Sequence, residues 1–293
     1  MSRSRRRLRR APLLLPAVVA LTLVPAAITA GPAAAADPPR YKLYYDIFDR
    51  GDTKIPGHDT RWVPQGLAYW PARDALVISY YDGEGKKNSR LALIDRRSGK
   101  RLQLFELPRR GHVGALAMSD NYLCVGDGGS ISRFHTAVLS RTGELPFLQA
   151  AGSYKVKASS FMTIVGKQMW VGNYDKHKDS TAYRYTFVKG GVPRYDKVTM
   201  NVPRRAQGMA ITGSQVIWSV STGEDADSRL MVRPLTVPTA PRGRDIVAPN
   251  MSEGIVIAGN ELHVLYESGA AKYKGADYKV RTVHHGLVAS VLG

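Results

Sequence analysis

Glu253 stands directly before Gly254, and four related dyads precede it in the chain: Gln65-Gly66, Val113-Gly114, Ser159-Ser160 and Gln207-Gly208. The spacings along the five are 48, 46, 48 and 46 residues. If the five copies converge, one carboxylate meets two amides and a hydroxyl, and Val113 breaks the set. Oxygen donors of this kind suit a hard cation such as Ca2+, or a chain of ordered water. Glu253, Gln65, Gln207 and Ser159 are therefore the candidate metal ligands. One charge is few for calcium, so water filling is the plainer expectation.

A second group is cationic. Pro108-Arg109-Arg110 leads into Val113, Pro203-Arg204-Arg205 into Gln207, Lys155 and Lys157 into Ser159, and Arg61 into Gln65. Gathered around one mouth, these charges would focus a positive potential. Arginine can grip carboxylate or phosphate through two parallel hydrogen bonds. Arg61, Arg109, Arg110, Lys157, Arg204, Arg205 and the nearby His112 are the candidate ligand-binding residues, against the alternative of solvated loop charges. Acidic residues at the same end, among them Asp82, Asp127 and Glu267, are accounted for by turn chemistry. No catalytic residue is assignable: the chain has no H-E-x-x-H, no C-x-x-C, no G-x-S-x-G and no Walker loop.

The elements that must position these residues repeat with the dyads. Each dyad opens an apolar run such as PQGLAYW, AQGMAIT or SEGIVIA, and a second run follows a short turn: ALVISYY, YLCVG, QMWVG, QVIWSV, ELHVLY. A third run comes next, SRLALID, SRFHTAVL, TAYRYTFV, SRLMVRPL and DYKVRTV, and a more polar fourth closes most copies. Short runs rich in β-branched and aromatic residues, bounded by turn residues, read as strands. Four strands per copy at a period in the forties predict an all-β, five-bladed β-propeller of antiparallel strands. The fifth copy lacks a fourth run, and Tyr41–Phe48, YKLYYDIF, is expected to supply it as the outer strand of the last blade. HHGLVASV at the C-terminus is the alternative closing segment.

Residues 1–36 join an arginine-rich start to an apolar stretch and a small-residue tract, GPAAAA. They predict a secretory signal peptide cleaved after Ala30 or Ala36. Ser4-Arg5-Arg6 resembles a twin-arginine export signal. Residues 37–293 then form one exported domain with no membrane span, and a closed ring predicts a monomer. The net charge is +18 and the leader holds six arginines, so +12 remains on the exported part. Such a balance favours anionic partners, a small acidic solute or a wall polymer, rather than a specific nucleic acid. Cys124 is the single cysteine, so no internal disulfide forms, and its apolar neighbours predict a core position.

The dyads Gln65-Gly66-Leu67, Gln207-Gly208-Met209 and Glu253-Gly254-Ile255 resemble the start of the inner strand in secreted propellers of the broad group that holds gluconolactonases, strictosidine-synthase-like proteins and NHL or YVTN repeats. Five blades with a channel Glu and Ser are also similar to calcium-activated nucleotidases. The enzymes among these groups imply acidic or Asn ligands around a channel calcium, and only Glu253 matches that pattern. The leading expectation is a non-catalytic binding module for an anionic ligand at the channel mouth. A calcium-dependent hydrolase, lactonase or nucleotidase using Glu253, and a protein-binding scaffold, are the alternatives.

Overall fold

The computed structural model describes residues 37–235 and 243–293. The expected signal peptide, residues 1–36, lies outside the described residues. A short helix, α1 (Lys42–Ile47), precedes the first strand, β1 (Phe48–Asp49). Blade one is β2 (Trp62–Trp70), β3 (Ala75–Asp82), β4 (Arg90–Asp95) and β5 (Arg101–Glu106). Blade two is β6 (Ala115–Met118), β7 (Tyr122–Asp127), β8 (Ser130–His135) and β9 (Gly152–Lys155). Blade three is β10 (Phe161–Val165), β11 (Gln168–Gly172), β12 (Ser180–Val188) and β13 (Val192–Val202). Blade four is β14 (Ala206–Thr212), β15 (Gln215–Val220), β16 (Ser228–Pro234) and β17 (Arg244–Ala248). Blade five is β18 (Ser252–Ala258), β19 (Glu261–Tyr266) and β20 (His284–Leu287), with β1 outermost.

All the pairings within blades are antiparallel, and the inner strands β2, β6, β10, β14 and β18 pack on one another in a ring around the axis. Apolar side chains alternate between the two faces of each sheet, so the core is a series of layers between neighbouring blades. The anchor glycines sit where two blades touch. A Cβ on Gly66 would lie 2.6 Å from the Gly114 carbonyl oxygen, and one on Gly254 would lie 2.5 Å from the Leu67 nitrogen. Buried serines tie one blade to the next: the Ser79 hydroxyl donates to the Val113 carbonyl at 2.7 Å, and Ser228 Oγ accepts the Ser252 N–H at 3.0 Å.

Two expected strands differ. Most of Tyr41–Phe48 is helical, with only Phe48 and Asp49 paired, to Gly286 and His285 of β20. The reason is the spacing of Tyr41, Tyr44 and Phe48, which puts three fully buried rings on one helical face against blades four and five. DYKVRTV is not the third strand of blade five. It is irregular, apart from an isolated bridge between Lys54 and Thr282, and HHGL takes the strand position as β20. The remaining C-terminal residues form a single helical turn, α2 (Val288–Leu292).

Candidate functional site at the channel mouth

Three of the five anchor dyads fall on irregularities of strand register. The β2–β3 ladder slips between Pro64 and Leu67, β14–β15 between Ala206 and Gly208, and β18–β19 between Ser252 and Ile255. A bulge re-aims the side chain it carries. Here it turns Gln65, Gln207 and Glu253 towards the same end of the channel, where hydrogen bonds join them. Gln207 Nε2 donates to Glu253 Oε1 at 2.9 Å, and Gln65 Nε2 donates to Glu267 Oε2 at 2.8 Å.

Glu267 is a residue that sequence reasoning missed, along with Tyr81, Lys272 and Tyr273 of the same cavity. It follows β19, the antiparallel partner that returns to the end where β18 begins, with Tyr266 opposite Ser252. That register places Glu267 beside Glu253, and the two carboxyls hydrogen-bond each other. The signal was available: a carboxylate directly after the apolar run ELHVLY must lie next to the anchor of the same hairpin. Both side chains are buried, Glu253 at 2% exposure and Glu267 at 7%. Burial pushes the Glu253 carboxyl well above the usual carboxylate range, and the charge of Glu267 adds to the rise. Burial also raises Glu267, to about 7, against the pull of hydrogen bonds from Tyr273, Glu253 and Gln65 and the charge of Lys272. Both carboxyls are thus held towards their protonated forms by burial and by each other.

Glu267 forms part of the floor of a cavity of about 420 Å³, whose walls include Tyr81, Tyr174, Tyr273, His112, Asp127 and Lys272. Lys272 Nζ donates to the Tyr81 hydroxyl at 2.8 Å, and that hydroxyl is 3.2 Å from the hydroxyl of Tyr273. The His112 ring stacks on Tyr81 with centroids 4.3 Å apart. That cover, together with the charge of Lys272, pushes the His112 pKa down.

The cationic group does not gather here. Arg61 is held by Asp82 through two contacts of 2.6 Å, and Asp82 lies well below the usual range because of it. Arg109 reaches the Ser132 hydroxyl at 3.0 Å, and Arg110 is exposed. Lys157 lies over the rings of Tyr183 and Tyr195. Arg204 and Arg205 line a different cavity, between blades three and four. Of the seven residues expected to bind ligand, only His112 lines the channel cavity. The four expected metal ligands stand closer together: Gln65, Gln207 and Ser159 line it, and Glu253 hydrogen-bonds both Gln207 and Glu267 beneath. Ser159 Oγ accepts the Gly129 N–H at 2.8 Å. The two glutamines give N–H groups, not oxygens, to the carboxyls. Calcium would need both carboxyls ionised and both amides turned to present oxygen.

No protein-family model and no curated protein matches the chain. Solved structures similar in fold include an aldose sugar dehydrogenase from Streptomyces coelicolor in its PQQ-bound form, at 13% identity and a TM-score of 0.48, over 80% of this chain and 97% of that one. Hydrazine synthase of Kuenenia stuttgartiensis aligns at 13% identity and a TM-score of 0.42, over 74% of this chain and 58% of that one. A chain of a nidogen/laminin complex aligns at 11% and 0.40, over 70% and 73%. Likeness at this level bears on the fold alone.

Proposed function

We propose that the protein is an exported binding module that takes a small acidic ligand, such as a uronate unit of a wall polymer, into the channel mouth. The observation that supports this reading is Lys272 beside the hydroxyls of Tyr81 and Tyr273, over a floor whose carboxyl titrates near neutrality. The ammonium and the two hydroxyls supply donors for a carboxylate, and the stacked rings supply faces for a sugar ring. Ionised Glu267 would repel the ligand, so binding tightens as the pH falls through about 7. The test is retention on immobilised polygalacturonate at low salt, where surface charges are least screened. We expect stronger retention at acid than at alkaline pH, and loss in Lys272→Ala. Retention unchanged by Lys272→Ala refutes the reading.

The coupled carboxyl pair favours a second reading, acid–base chemistry, because two carboxyls in contact cannot both ionise freely and one is left poised near neutrality. Its calcium-dependent form predicts a melting temperature raised by about 5 mM calcium, since a ligand of the native state stabilises it. Glu253→Ala should abolish that rise. No rise in the wild type removes the calcium form.

A further inference from the structure

The face of blade four that turns towards blade three is laid out by strand register. Val220 pairs with Arg229, Trp218 with Met231 and Val216 with Arg233, and alternation puts these rows on one face of the sheet. Towards the axis and below, this face is covered by Phe161, Trp170 and Met200 of blade three. Near the end of β13 it is not, and a cavity of about 590 Å³ opens between Asn201 and Val202 on one side and Trp218, Val220 and Met231 on the other.

Four arginines line it: Arg204, Arg205, Arg229 and Arg233. Arg205 is fixed rather than loose. Its backbone is left-handed at φ +65°, its Nε donates to the Lys176 carbonyl, and its NH1 donates to the Thr222 carbonyl at 3.1 Å. Neither partner is charged. The Arg204 guanidinium has no partner among the described residues. Arg233 is nearly buried and binds Asp245 at 2.7 Å, while Arg229 stands 4.0 Å from that same carboxylate. Asp179, the one acidic residue of the lining, accepts the backbone N–H of Arg204. Two carboxylates therefore stand against four guanidinium groups. A second, independent observation concerns Trp218. Its indole is fully buried, it lines the cavity, and its N–H has no hydrogen-bond partner among the described residues. A buried donor without an acceptor is costly and uncommon in a folded protein.

We propose that this crevice between blades three and four is a binding site for an organic phosphate, a phosphate monoester whose other end is apolar. Guanidinium forks match phosphate oxygens in pairs, and the four arginines exceed Asp179 and Asp245 by two positive charges. Trp218, Val202, Val220 and Met231 form the wall for the apolar end. The site is separate from the channel mouth and shares none of its lining residues.

The experiment is calorimetric titration of the full chain with phenyl phosphate and, separately, inorganic phosphate at low salt. Phenyl phosphate is expected to bind more tightly, because only it fills the apolar wall. Arg204→Ser combined with Arg229→Ser, both exposed and checked by an unchanged melt, should weaken it on the order of tenfold or more. Lys272→Ala should leave the affinity as it is, which separates this site from the channel mouth. The proposal is overturned if neither phosphate binds by about 10 mM, if the double arginine variant binds as well as wild type, or if Lys272→Ala removes the binding. Equal affinity for the two phosphates overturns the assignment to an ester.

Discussion

At the scale of single residues, the protein keeps two carboxyls buried against each other. Both have pKa values raised above the unfolded range. The native state therefore holds protons that the unfolded chain releases above about pH 4.5, and stability falls as pH rises from there through about 7. Glu253→Gln reproduces the protonated form: its amide oxygen still accepts from Gln207 and its NH2 still donates to Glu267. The variant is expected to melt with the wild type at pH 4 and above it at pH 8, with a gain on the order of 1–3 kcal/mol. A wild-type advantage at pH 8 would contradict the protonation assigned to Glu253. Of this pair, the sequence disclosed one member. Glu253 stood out because the other four dyads lack a carboxylate. Glu267 was hidden among loop acids, because its role depends on which end of the hairpin β19 returns to.

At the scale of elements, the irregularities at the anchor dyads do two things at once. They aim polar side chains into the channel, and they bring backbone against backbone between blades. Gly254 has no room for a Cβ, since the nearest atom would be a backbone nitrogen that cannot move aside. Gly254→Ala is expected to cost at least about 1–3 kcal/mol by overpacking, read from urea unfolding. An unchanged midpoint would contradict the close approach. The glycines were legible because a repeat at 46 to 48 residues exposes what every blade needs. The arginines were misplaced for the opposite reason. Their positions before each inner strand are regular, but the direction of a side chain at a loop depends on local partners. Asp82 captures Arg61, and the Lys176 and Thr222 carbonyls capture Arg205. No period in the sequence encodes those contacts.

At the scale of the whole molecule, blade five is assembled from both ends of the described chain. The pairing of β1 with β20 covers only two residues, and α1 adds a second attachment. Tyr44 receives a hydrogen bond from Tyr266 at 2.7 Å, lies 3.0 Å from His284 Nδ1, and stacks on Phe48. Removing residues 37–49 would uncover the outer edge of β20 and the apolar surface under α1. A lower melting temperature and concentration-dependent self-association in light scattering are expected, because an open edge and an apolar face invite pairing with another copy. A truncated chain that stays monomeric and melts as before would show that this segment closes nothing. The need for an extra element in the last blade was readable from the missing fourth run. Its helical form was readable too, in rings at positions 41, 44 and 48, but strand periodicity in the other blades obscured it.

The connection that enters blade four carries Arg205 at the crevice and, two residues on, Gln207 at the channel. One short piece of backbone is thus a wall of both cavities, with Gln207 bonded to Glu253. Any occupant that displaces this connection changes the free energy of filling the other cavity. Thermodynamic reciprocity then requires the same factor in the reverse direction. Titrating one cavity in the presence of the other's occupant would read whether such a displacement occurs.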